Sequence, residues 1–114
     1  MINIIATALL SMTAMKGDPL DDARKSFNNC MIEVHNTAVG EKASPSAFIQ
    51  TSDAACPTQR AAYKEILVKS ERSYGSSQTE AEKFASEEIQ MIVDSIVTSF
   101  NDNVESGAKL TPEK

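Results

Sequence analysis

The residues with chemistry to offer are Cys30, Cys56 and His35, in a chain of 114 residues that has two cysteines and one histidine. Their spacing is not the C-x-x-C of a redox motif, and two cysteines with one histidine fall short of the four ligands of a structural zinc site. The pair reads as a structural disulfide. Closing a loop of about 27 residues in the unfolded chain contributes roughly 3.5 kcal/mol on the chain-entropy model. That is a large share for a small domain whose whole stability is about 5–15 kcal/mol. The alternative is two buried free thiols in a reducing compartment.

His35 is the weak candidate for a ligand-binding or catalytic site. Glu33 and Glu41 are near enough in sequence to orient it as a general base, yet nothing supplies a nucleophile and oxyanion donors together. Its place beside an apolar stripe, near a helix end, fits a solvated or capping histidine better. Glu87, Glu88 and Asp94 do not form a carboxylate metal site, because helical neighbours at i and i+1 point apart and no Glu-x-x-His is present. Asp18, Asp21 and Asp22 lack the glycine and the twelfth-position glutamate of a calcium loop. Met31 and Met91 fall at helical apolar positions and read as packing rather than soft-metal ligands. The sequence has no Gly-rich phosphate loop, no G-x-S-x-G and no H-E-x-x-H. The expectation is a protein with no catalytic residues, no metal and no cofactor.

These side chains must be positioned by helices, since the apolar periodicity from Asp18 onward is three-and-four throughout and shows no sustained alternation. A first helix opens with Asp18 as cap and Pro19 at its first position, and Gly40 marks its stop. Its apolar stripe is Leu20, Ala23, Phe27, Cys30, Met31, Val34 and Ala38; Arg24, Lys25, Asn28, Asn29 and Glu33 fall on the opposite, solvated face. Ser44-Pro45 opens a second helix through about Ala55, and Cys56-Pro57 breaks the chain before a third over 57–73. Ser77 and Glu80 form a capping box that starts a long fourth helix reaching Asn103. The third helix carries a basic excess and the fourth an acidic one. Their short connection predicts an antiparallel hairpin with favourable ion pairs along its rim.

The fold class is therefore all-α, with a disulfide-clipped hairpin of helices 1 and 2 packed on a longer antiparallel hairpin of helices 3 and 4. Residues 18–106 form a single helical domain, and 107–114, with Thr111-Pro112, read as a flexible tail.

Residues 1–15 stand apart from this pattern. They carry no charged side chain, are rich in apolar residues, and end at Lys16-Gly17-Asp18-Pro19. The stretch is shorter than the roughly 18–20 apolar residues of a membrane span but matches the apolar region of a secretory signal peptide. Other readings are a first helix that completes the core or a tether on a membrane surface. Export and the disulfide support each other, because disulfides persist outside the reducing cytoplasm. The formal charge of −5, from 16 acidic and 11 basic residues, gives no drive toward nucleic acid or anionic lipid.

At Cys30, Phe48, Cys56, Tyr63, Gly75 and Ala81 the chain resembles small exported helical bacterial proteins of no assigned activity, over about residues 18–104. In size and in its single Cys pair it also looks like periplasmic acid-stress chaperones and toxin-binding immunity proteins. The resemblance implies a periplasmic or secreted, non-enzymatic protein that binds another protein or protects the envelope. It transfers no functional residue by number. The alternative is a small helical ligand-binding protein or enzyme with its site near His35.

Overall fold

The computed structural model describes residues 18–114, so the signal-peptide reading of 1–15 lies outside the described residues. Among the described residues four helices follow one another: α1 (Pro19–Gly40), α2 (Pro45–Ala54), α3 (Pro57–Ser73) and α4 (Gln78–Asn103). No strand occurs among the described residues.

Local chemistry sets where each helix begins. Asp18 accepts from the Leu20 N–H at 3.0 Å, with Pro19 following at the first helical position. Ser44 accepts from the Ala47 N–H, and Pro45 follows it. Ser77 and Glu80 exchange both bonds of the capping box, which satisfies two of the donors that a helix start leaves open. Only α3 lacks a side-chain cap. Its cap residue is Cys56, held in the left-handed region at φ 56°.

The stops differ in one place from the expectation. Gly75 (φ 103°) terminates α3, with the Ser76 N–H returning to the Glu71 carbonyl. α1 ends at Gly40 as expected, but Gly40 itself stays helical and Lys42 takes the positive φ of 52°. Ala43 N–H then reaches back to Ala38 O and Lys42 N–H to Val39 O. This pair of bonds is the usual left-handed helix terminus, built here on a lysine.

The α3–α4 hairpin is antiparallel and is the most extensive pairing in the fold. Asp18 and Leu20 sit near Phe84 and Glu88 at the start of α4, and His35 sits near Asn103 at its end. α1 therefore runs parallel to α4 and antiparallel to α3, packing on both. α2 packs mainly on α4, where Phe48 stacks on Phe100 at 4.2 Å between centroids. The core is a column of Phe27, Met31, Tyr63, Leu67, Ile89 and Val93, closed at one end by Phe48 and Phe100. The hairpin forms without the anticipated rim ion pairs. Both salt bridges among the described residues belong to Arg24 on α1, so apolar burial holds α3 to α4.

Residues 107–114 are not left loose as their composition suggests. Gly107 (φ 78°) turns the chain, and the following residues run back along α1. The reason is a set of polar partners that no local pattern announces.

Candidate functional site

The disulfide joins Cys30 and Cys56 with their Cα atoms 6.1 Å apart. Cys30 lies mid-way along α1 and Cys56 at the corner where α2 ends and α3 begins. The clip placed by the sequence between helices 1 and 2 thus fastens α1 to a corner shared by two helices. Arg60 completes that corner. Its guanidinium donates to Ser52 O at 2.8 Å and Ala55 O at 3.1 Å, which closes carbonyls at the negative end of α2. The same group lies 5.3 Å from the centroid of the Phe27 ring.

His35 is neither solvated nor a helix cap. It is wholly buried, because it falls four residues after Met31 and eight after Phe27, on the inner face of α1. Its Nδ1 lies 2.8 Å from Asn36 Oδ1, and its Nε2 lies 3.3 Å from Asn103 Nδ2. With Asn103 donating to Nε2, Nδ1 is the ring's donor, to Asn36 Oδ1. Phe100 meets the ring edge-on. Both nitrogens are occupied, and His35 lines none of the grooves described below. Neither Glu33 nor Glu41 is its partner.

The face of α1 expected to be solvated holds the tail instead. Asn36 and Leu110 exchange two bonds: the Leu110 N–H donates to Asn36 Oδ1 at 2.9 Å, and Asn36 Nδ2 donates to Leu110 O at 3.0 Å. Asn29 does the same with the main chain of Glu113, at 2.8 and 2.9 Å. A residue presents its own N–H and C=O to one side only when it is extended, so both Leu110 and Glu113 are extended. Seven residues of α-helix rise about 10.5 Å, and three residues of polyproline-type chain about 9.3 Å. The two asparagines are spaced to read every third residue of such a segment.

One side chain of the tail is also read. The Glu113 carboxylate accepts from Arg24 Nη1 and Nη2, both at 2.9 Å, and from Asn28 Nδ2 at 2.6 Å. Arg24 holds this carboxyl below the usual glutamate range, and Asn28 adds to the effect. The guanidinium is in turn pushed up, first by Glu113 and also by Asp21. Lys25 donates to the Lys114 carbonyl at 2.8 Å. Leu110 is half-buried against the core, while Thr111 and Pro112 face solvent. The sequence held one signal for this row. Asparagine is a poor helix former, and Asn28, Asn29 and Asn36 all sit inside α1.

Two grooves of about 340 Å³ flank this face. One lies between α1 and α2 beside Glu33, Val34, Glu41 and Phe48. The other lies where α1 crosses the hairpin and is lined by Leu20, Arg24, Tyr63, Phe84 and Glu88. Burial raises the Tyr63 phenol there, with Glu88 acting in the same direction. Among the described residues no group of three or more His, Cys, Asp or Glu is placed to hold a metal ion.

Against family models, curated proteins and solved structures, the chain matches nothing. No helix among the described residues is long and apolar enough to cross a membrane. Met91, expected in the core, lies on the outer face of α4 and is 65% exposed.

Proposed function

We propose that this chain is an exported, non-enzymatic helical domain that works by binding another protein, in the periplasm or outside the cell. The observation that carries the reading is the row of Arg24, Asn28, Asn29 and Asn36, in which Asn29 and Asn36 hold the backbone of an extended segment and Arg24 and Asn28 hold its carboxylate. Side-chain amides paired with main-chain groups are a means of holding protein segments of varied sequence. The disulfide supports an oxidising compartment. The alternative site at His35 gains no support, because the ring is sealed in the core with both nitrogens occupied.

The reading is tested in cells that express the protein naturally. Photo-crosslinking residues are placed one at a time at Lys25, Glu33 and Met91, and the intact mass of the chain is measured in each cell fraction. The expected result is an oxidised chain lacking the N-terminal apolar stretch, outside the cytoplasm, with one recurring protein adduct. A full-length cytosolic chain with two free thiols and no adduct overturns it.

A further inference from the structure

The α1 row has the form of a receptor already occupied by a ligand, and the ligand shows what the receptor reads. Four of its hydrogen bonds go to the backbone of Leu110 and Glu113, three to the Glu113 carboxylate, and none to the side chains of Thr111 or Pro112. The recognised pattern is an extended segment with an apolar residue three positions before a glutamate. Proline between them fits without loss, since its fixed φ suits the extended chain and its missing N–H is not used.

We propose that this face of α1 binds such a segment from a partner protein, and that residues 108–114 occupy it in cis as a competing ligand. The proposal rests on the protein-binding reading and names its partner class. The tail is suited to exchange. It has no regular secondary structure, its hydrogen bonds are only partly buried, and Leu110 is the one large apolar side chain it places against the core. A cis ligand on a short connection acts at about millimolar effective concentration, which sets the level a partner must exceed. The positive groups Arg24 and Lys25 stand on the row within a chain of net charge −5, so the row favours a carboxylate locally. Asp21 shares Arg24 with the ligand and narrows the preference to one correctly placed acid.

Fluorescence anisotropy on the full chain tests this with three labelled peptides. The first has the sequence of residues 108–114. The second keeps only its leucine and glutamate, and the third carries Glu113→Gln. The protein is used as the natural sequence and as the Glu113→Arg variant, whose tail is repelled by Arg24 and Lys25. Leu110→Asp is a second means of releasing the tail, and circular dichroism checks that both variants keep their helices.

The expected result is that the released-tail chains bind the first and second peptides at least tenfold more tightly than the natural chain does. The third peptide binds at least fivefold more weakly than the first, and adding Asn29→Ala to a released-tail chain removes most of the gain. The proposal is overturned if folded released-tail chains bind no peptide, or if the second peptide fails while the first binds. Binding indifferent to Asn29→Ala also overturns it. So does a concentration-dependent dimer of the natural chain that Glu113→Arg abolishes, because the occupant in trans is then a second copy. A partner crosslinked elsewhere on the surface leaves the protein-binding reading standing while this proposal fails.

Discussion

Glu113 places one carboxylate against three donors from two side chains, which makes docking of the tail dependent on its ionisation. Its pKa in the folded chain is depressed. The docking contribution is therefore present above the ordinary glutamate range and is lost as the pH falls through the depressed value. Protection of the Leu110 and Glu113 amides, measured against their intrinsic exchange rates, should be high near neutral pH and fall in acid below the ordinary glutamate range, while the core of α4 stays protected. Because the pair is part-exposed, salt should weaken the effect; protection factors at these two amides that stay constant from pH 7 to 3 count against it. His35 works differently, by filling space and joining two asparagines. Replacing it with alanine should cost about 2–4 kcal/mol in denaturant unfolding, from the cavity and the amides left without a partner. A cost below about 0.5 kcal/mol would return it to the surface role its sequence position suggested. That misplacement has a simple origin: Val34 and His35 are adjacent, and a stripe drawn through Val34 is only one position away from the true one. The tail row was harder to foresee, since Asn29 and Glu113 are far apart in the chain and nothing local links them.

Helix boundaries were more legible than the row because caps act within four residues. Asp18-Pro19, Ser44-Pro45 and Ser77 with Glu80 each announce a start and each forms the expected bond. The end of α1 at Gly40 was legible too, but the left-handed turn that closes it falls on Lys42, which nothing in its type recommends. Two elements depend on one or two residues each. Ser77→Ala removes the side-chain half of the capping box and should cost about 1 kcal/mol, seen as faster amide exchange at Glu80 and a lower midpoint in urea. α2 has only ten residues, too few to be stable alone, and relies on Phe48 below and Arg60 at its end. Arg60→Met keeps much of the apolar stem but leaves the Ser52 and Ala55 carbonyls without their donor. A loss of about 1–3 kcal/mol is expected, with exchange in α2 rising more than in α4. Equal acceleration in the two helices would mean that α2 does not open on its own.

The disulfide acts on the molecule as a whole because of where its ends lie. It closes a loop containing the C-terminal part of α1, all of α2 and the corner between α2 and α3, separating residues by 26 in sequence. α1 and α2 touch each other little. Without the bond, α2 is held mainly by the stacking of Phe48 on Phe100 of α4 and by the Arg60 cap from α3. Cys56 also occupies a left-handed conformation that a β-carbon disfavours, and the bond helps to hold it there. Reduction, or the double substitution Cys30→Ala with Cys56→Ala, should remove roughly 3 kcal/mol. For a domain of this size that lowers the thermal midpoint by about 10–20 °C. Because Cys30 sits beside the core column rather than at an end, α1 and α3 should lose order together, giving a single transition by circular dichroism. If the reduced protein instead melts at the oxidised midpoint, the helices sustain the fold unaided and the disulfide adds nothing to its stability.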